Sequence, residues 1–389
     1  MTFEDRSEMR KLIVVGAAAA LTLAACSQGE NGEARNNDAT DQAPSGSVID
    51  TVATVSPDIA NDARALEPYG EGQWLIGQYA ERGGYNKGAV YVMDAAGVTK
   101  QLTTGYSPGS FAVSGQDIYV TVPNQQTVNR MDIETGALTQ VLPAPAGDSA
   151  SGGKLKAGSG CPDSVSAADV RFNWPWGLAI DDDILYIADV NNNCVRRVDL
   201  SAEEPVVERV AGLASGAGGF NGEGQAPNQT QLHAPGGLDV DRQGDLFIAD
   251  TLNQVVWELD VKAKRSGIDI VAGVPKQAGY NGDDRPATQA QLNYPWGVDI
   301  DRANVLFIAD QRNNRVRVVN NKTILTLAGN GTQGNTGDGG PAIDAELAGP
   351  WDVANDDYQN PRFPGALYVS DSANHSVRVV TDRDAIAGG

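Results

Sequence analysis

The sequence predicts an all-β protein that folds as a six-bladed β-propeller, with four antiparallel strands in each blade. Three observations predict this fold class. The chain of 389 residues contains 45 glycines and 19 prolines, which indicates many tight turns. One short motif recurs in the second half of the chain, and a second motif follows each of its copies. Repeats of roughly 40–60 residues, each with several short strands, are typical of propeller blades.

The first motif is a proline followed by aromatic and small residues, as in Pro175-Trp176-Gly177-Leu178. Its proline recurs at positions 235, 295 and 350, at intervals of 60 (235−175), 60 (295−235) and 55 (350−295). The second motif is a short apolar segment that ends in an aspartate, namely Asp189, Asp250, Asp310 or Asp371. We expect strand a after the proline, strand b before the aspartate, and strands c and d in the apolar segments beyond it.

Two degenerate units precede these four. Pro108-Gly109 takes the place of the first motif, and residues 118–120 and 127–131 follow as strands. Residues 73–78, 89–93 and 98–102 can form one more blade. Degenerate blades over residues 60–147 and regular ones over residues 172–389 therefore give six blades. Residues 48–55 alternate between polar and apolar side chains, and we expect them to pair with the last blade and close the ring.

The four regular units resemble NHL repeats over residues 172–380, and Asn374-His375 keeps the first two letters of that name. Related propellers that are lyases use histidines near the central channel. This chain has two histidines, His233 and His375, in separate units. The resemblance therefore favours a binding or scaffolding propeller over an enzyme. The alternative is a metal-dependent lactonase-like hydrolase, resembling gluconolactonase, with a divalent metal in the central channel.

The first residues predict export. Arg10 and Lys11 precede an apolar segment at residues 12–23, which is too short to span a membrane. The following Leu23-Ala24-Ala25-Cys26 resembles the lipobox of bacterial lipoproteins, which implies a signal peptide at residues 1–25 and a lipidated, palmitate-bearing Cys26. Residues 26–47 read as a disordered tether, and residues 48–389 as the propeller. The alternative is an ordinary signal peptide with a chance cysteine.

Charge and targeting limit the partners. The formal net charge of −21 disfavours nucleic acid and anionic lipid headgroups. We expect a monomer that contacts the membrane only through its lipid anchor and binds an envelope protein, peptide or glycan. Ser27 after the cysteine resembles the pattern sent to the outer membrane, facing the periplasm.

One face of the propeller is predicted to carry the connections between strands b and c and those between blades. This face would gather the tryptophans and strand-b aspartates of the repeats. Tryptophan rings can stack on a sugar, a peptide or a cation, although packing between blades is the competing interpretation. Maintaining the fold is the competing role for the aspartates: each would accept backbone N–H bonds in the b–c turn, where the motif asparagine three residues later can adopt the left-handed conformation. These asparagines are Asn192, Asn253, Asn313 and Asn374. The candidate binding face consists of Trp176, Trp296, Trp351, Asp189, Asp250, Asp310 and Asp371.

Gly-rich acidic loops are expected on the same face. They offer Glu223, Asp283, Asp284 and Asp338 as carboxylates for a divalent cation such as calcium. The competing interpretation is that these loops are solvated turns, because each one supplies only one or two carboxylates. No cofactor is firmly implied.

Cys161 and Cys194 are the two cysteines that remain after Cys26. In an exported protein a disulfide between them is expected, tying the segment between blades 2 and 3 to the first regular repeat. Two unpaired thiols are the alternative.

Overall fold

Six antiparallel sheets, one for each blade, are present in the computed structural model, which confirms the predicted fold class. The structure describes residues 47–54, 61–70, 72–80, 87–94, 97, 99–142, 160–262, 267–356 and 365–381. The predicted signal peptide, Cys26 and nearly all of the predicted tether lie outside these residues. Among the residues described, no helix is long and apolar enough to cross a membrane.

Each blade has four main strands, named a to d from the axis outward. In blade 1 they are Asn61–Tyr69, Gln73–Ala80, Ala89–Met93 and Thr99–Thr104. In blade 2 they are Phe111–Ser114, Asp117–Val122, Thr127–Met131 and Leu138–Leu142. In blade 3 they are Pro175–Asp181, Ile184–Asp189, Cys194–Asp199 and Val206–Ala211. In blade 4 they are Pro235–Val240, Asp245–Asp250, Val255–Asp260 and Asp269–Ala272. In blade 5 they are Pro295–Ile300, Leu306–Asp310, Arg315–Asn320 and Thr323–Ala328. In blade 6 they are Pro350–Asn355, Leu367–Asp371, Ser376–Thr381 and Val48–Thr54.

Short 3₁₀ helices occupy the connections. Those between strands b and c are Val190–Asn192, Thr251–Asn253, Gln311–Asn313 and Ser372–Asn374, and those between blades are Pro227–Gln229, Ala287–Gln289 and Ala342–Asp344. In blades 3 to 6 the residue after the b–c helix adopts the left-handed conformation that closes the turn, as Asn193 does with φ of 52°.

The first strand of the propeller closes the ring, as predicted. Val48–Thr54 pairs antiparallel with Ser376–Thr381, so that the two ends of the propeller share blade 6. Ile49 lies opposite Val380 and is fully buried between blades 5 and 6. The ring is complete at its centre, because strand a of every blade packs against strand a of the next. Six apolar clusters fill the six contacts between neighbouring blades.

Three of the long connections between blades form additional strands that we did not predict. We expected their acidic loops on the face that carries the b–c turns. The loops do contact the b–c turns, because Asn253, Asn313 and Asn374 donate to the carbonyls of Gly219, Gly279 and Gly334. In addition, parts of three connections run along the outer edge of a blade as an additional strand. Ser164–Ser166 pairs with strand d of blade 3, Arg285–Pro286 with strand d of blade 5, and Gly340–Pro341 with Val48–Thr54. These segments cover the edge strands of three blades.

Cys161 and Cys194 form the expected disulfide. It joins the segment ahead of blade 3 to the start of strand c in that blade, and both cysteines are fully buried. The bond closes a loop with a sequence separation of 33 residues.

We expect a Cys161→Ser/Cys194→Ser double variant to lose about 3–4 kcal/mol of unfolding free energy, because the crosslink restricts the unfolded chain. Urea denaturation of the two proteins measures the loss. Cys26→Ser is the control, since it replaces the third cysteine of the chain and leaves the disulfide in place. An equal midpoint for the double variant and the control would contradict the prediction.

Candidate ligand-binding channel

The inner strands of blades 3, 4 and 5 approach their neighbours closely because a glycine, namely Gly177, Gly237 or Gly297, stands two residues after the motif proline. A methyl group on Gly237 would lie 2.5 Å from the carbonyl oxygen of Trp296, and one on Gly297 would lie 2.7 Å from the Cα of Asp352. Backbone atoms cannot move aside as a flexible side chain can, so any larger residue here would push two blades apart. Glycine at this position therefore lets the inner strands lie close together near the axis.

The motif tryptophans meet at one end of the axis. Trp176, Trp296 and Trp351 have ring centroids 4.7–5.7 Å apart, and Tyr79 lies 5.1 Å from Trp176. We call these four residues the aromatic plug. The guanidinium of Arg64 covers it, 4.1 Å from the Trp351 ring. Only 3% of Trp176 and 6% of Trp296 is exposed, so the rings mainly contact one another. Their predicted role as a binding face stays a prediction.

The strand-b aspartates are fully buried acceptors. In Asp250, one carboxylate oxygen accepts the backbone N–H of His233 at 2.7 Å, and the other accepts the Asn253 amide at 2.7 Å and the Trp257 indole at 2.9 Å. Asp189, Asp310 and Asp371 repeat this pattern with their own neighbours. Burial raises the pKa of Asp250 to about 7 and those of Asp310 and Asp371 to about 6. Such an enclosed network maintains the blade.

One detail of the aspartate prediction is wrong. We expected the backbone N–H donor in the b–c turn, with the motif asparagine in the left-handed conformation. The backbone donor lies ahead of strand a, at His233 for Asp250, and the left-handed residue follows the asparagine. Each aspartate therefore links two connections of its blade.

The loop carboxylates are dispersed. Asp283 binds the buried Arg317 and Asp338 binds the buried Arg378, both at 2.6 Å. Glu223 and Asp284 are exposed. Within the described part of the chain, no three His, Cys, Asp or Glu side chains are arranged to hold a metal ion. Of the four carboxylates considered as calcium ligands, Asp283 and Asp338 therefore form ion pairs, and Glu223 and Asp284 lie in solvated turns.

A cavity of about 250 Å³ lies on the axis beside the aromatic plug. The later residues of the inner strands line it, together with Arg302 in the turn between strands a and b of blade 5. The motif tryptophans stand at the start of the same strands. The plug therefore closes one end of the channel, and the cavity opens toward the a–b turns.

Four carboxylates face this cavity from four different blades: Glu67 of blade 1, Asp239 of blade 4, Asp299 of blade 5 and Asp352 of blade 6. Burial raises the pKa of Glu67 well above its ordinary value, and the charges of Asp239, Asp299 and Asp352 raise it further. Burial, helped by Asp299, raises the pKa of Asp352 to about 7. The cavity is thus a partly enclosed negative site that favours a positive charge.

Sequence reasoning connected only Glu67 with the central channel, through a weak resemblance to the first-blade glutamate of the lactonase propellers, and did not assign Asp239, Asp299 or Asp352 to the site. A signal was present, because Leu238-Asp239-Val240 and Val298-Asp299-Ile300 place an acid within an apolar inner strand four residues after the motif proline. Charged residues at such positions need a partner or a function.

Comparison with known proteins agrees with this architecture. Residues 172–198 and 292–319, in blades 3 and 5, match the family model of the NHL repeat. In these two repeats and in its six-bladed fold, the chain is similar to proteins with NHL repeats. The human NHL repeat-containing protein 2 is 30% identical over 238 residues, which are 55% of this chain and 32% of that protein. The chain thus spans about a third of the length of this curated relative.

Two solved structures share the fold. A protein of unknown function from Bacteroides thetaiotaomicron superposes with a TM-score of 0.61 at 16% identity, covering 86% of this chain and 76% of the other. A protein described as an auxiliary nutrient binding protein from the same organism gives 0.59 at 14% identity, with the same coverage.

Proposed function

We propose that the protein is a binding propeller of the cell envelope, anchored through Cys26, that holds a small positively charged molecule in its central channel. The observation that carries this proposal is the cavity on the propeller axis that four carboxylates line. An organic cation suits it, because it pairs with dispersed carboxylates through several N–H donors.

The envelope location rests on the signal and lipobox pattern of residues 1–26. A binding role is in keeping with the auxiliary nutrient binding protein that shares the fold. The alternative prediction, a metal-dependent lactonase-like hydrolase, is tested on the same purified protein by assaying a lactone panel with added divalent metals. Turnover that depends on the metal would replace the binding proposal.

The Asp239→Asn/Asp299→Asn double variant is expected to bind 1,4-diaminobutane at least about tenfold more weakly than the original protein, a change of ~1.4 kcal/mol. The variant removes two of the carboxylate charges that face the cavity. Each asparagine keeps a side-chain oxygen that can accept the backbone N–H of Ile300 or Asn355, as the aspartates do. Isothermal titration calorimetry measures both affinities.

Two controls accompany this measurement. Neutral 1,4-butanediol has the same carbon chain as the diamine and is expected to bind weakly to every variant. Glu223→Gln removes one charge from an exposed loop and should leave the affinity for the diamine unchanged. Equal affinity for the diamine and the diol, or equal losses in the channel variant and the loop control, would contradict the proposal.

A further inference from the structure

The propeller begins at the outer edge of blade 6. Val48 is the first residue of the closing strand, and it pairs with Thr381 on one side and with Pro341 on the other. The preceding residue, Ser47, is 5% exposed, and its carbonyl accepts the backbone N–H of Ala342 at 2.8 Å. The point at which the N-terminal part of the chain joins the propeller is therefore fixed within blade 6.

One row of strand pairs connects this point with the cavity. Asn355, which lines the cavity, lies opposite Leu367. Leu367 lies opposite Val380, and Val380 lies opposite Ile49. The row thus crosses blade 6 from the axis to the outer edge, over three strand spacings or about 14 Å. Ile49 is the second residue of the closing strand, so this strand starts level with the cavity.

The strand directions place this row at the end of the propeller where the cavity opens. Asn355 is the last residue of strand a and Leu367 is the first residue of strand b, so the row lies next to the a–b turn of blade 6. Trp351 of the aromatic plug lies near the start of the same inner strand, at the opposite end. We call the end with the a–b and c–d turns the mouth face, and the opposite end the plug face. The N-terminal part of the chain therefore enters the propeller at the mouth face.

The length of chain between Cys26 and Ser47 limits how far the mouth face lies from a membrane that holds Cys26. The two residues are 21 positions apart (47−26). For a chain with random-coil statistics, that number of residues spans about 25 Å. The propeller has a similar thickness, because a strand a of six residues such as Pro295–Ile300 is about 20 Å long. An anchor at Cys26 therefore keeps the mouth face nearer to the membrane than the plug face.

We propose that the lipid anchor turns the mouth face of the propeller, and with it the opening of the central cavity, toward the membrane. The inference rests on the proposed anchor at Cys26, and the position of the closing strand supplies the direction. The anchor holds the lipid surface close, since the net charge of −21 gives no attraction to anionic headgroups. A small molecule that enters or leaves the cavity then passes between the propeller and the membrane, whereas the plug face points away from it.

Two exposed alanines serve as a matched pair of label positions. Ala303 lies in the a–b turn of blade 5, on the mouth face. Ala278 lies in the connection ahead of that blade, directly before the residue whose carbonyl accepts the Asn313 amide of the b–c turn, and thus on the plug face. Because the other two cysteines form the disulfide and Cys26 carries the lipid, Ala303→Cys or Ala278→Cys supplies a single free thiol for a fluorescent label.

Energy transfer to the lipid surface measures the orientation. The full-length lipidated chain is inserted into phosphatidylcholine vesicles that carry an acceptor dye on their headgroups. Transfer from the label at position 303 should be at least about twofold stronger than transfer from the label at position 278, because the thickness of the propeller separates the two faces. Cys26→Ser, combined with each label, is the control that lacks the anchor and should give no transfer.

Flotation of the vesicles separates the two ways in which the inference can fail. If the unlabelled chain does not float with the vesicles, the anchor at Cys26 is wrong and the orientation fails with it. If the chain floats, equal transfer from both labels, or stronger transfer from position 278, would overturn the orientation alone. Neither outcome affects the measurement of diamine binding, which needs no membrane.

Discussion

Replacing Arg317 by alanine is expected to lower the free energy of unfolding by about 3–5 kcal/mol. The Arg317 guanidinium is fully buried between two carboxylates, 2.6 Å from Asp283 and 3.5 Å from Asp310. Its loss leaves Asp310 buried with one favourable charge fewer, and Asp283 without its cation. Burial already raises the pKa of Asp310 to about 6 even with Arg317 present. Arg317→Ala should raise it further, so the variant should regain stability as the pH falls toward 5.

Arg197→Ala is the matched control for this measurement. Arg197 also lies in a strand c and pairs with Glu208 at 2.8 Å, yet 42% of its side chain and 47% of that of Glu208 is exposed. Such a surface pair contributes at most about 1 kcal/mol. Urea denaturation followed by tryptophan fluorescence compares the variants. Similar losses of unfolding free energy in Arg197→Ala and Arg317→Ala would show that burial does not determine how much these ion pairs contribute to stability.

The blade count could be predicted from the sequence because the same residue types mark the strand ends in each regular repeat. A motif proline begins strand a in blades 3 to 6, and a buried aspartate ends strand b in the same blades. Ring closure was also predictable, since an isolated period-two strand ahead of the repeats needs a partner. By contrast, strand a of blade 1 has no motif proline, and only the fold identifies Asn61–Tyr69 as an inner strand.

The candidate site was less accessible to sequence reasoning because it depends on which residues converge at the axis. Glu67 and Asp352 lie 285 positions apart (352−67), and no local pattern connects them. The tryptophans were predicted either to form a binding face or to pack between blades, and convergence of the blades packs them against one another in the aromatic plug, with Trp351 partly buried. Arg317 lies in a predicted strand c, but its role as a buried ion-pair partner depends on Asp283, which belongs to the connection between blades 4 and 5.

Removing the closing strand, residues 48–54, is expected to have the largest effect of any change considered, namely loss of cooperative unfolding. Deletion would leave Ser376–Thr381 as an open edge and expose the apolar cluster between blades 5 and 6. Ile49→Ala is the graded version and should cost about 2–5 kcal/mol, since Ile49 is fully buried in that cluster. Thermal and urea unfolding, with light scattering for aggregation, measure both variants.

Thr51→Ala separates ring closure from a general sensitivity of this strand. Thr51 pairs with Arg378 in the same ladder, but its side chain is exposed, so its truncation should change stability by no more than about 0.5 kcal/mol. A deletion variant that unfolds cooperatively with an unchanged midpoint would mean that the ring is stable without its seven-residue closing strand, Val48–Thr54. The six inner strands would then hold the propeller together on their own, and the contacts between neighbouring inner strands would supply the stability that we assign to the closing strand.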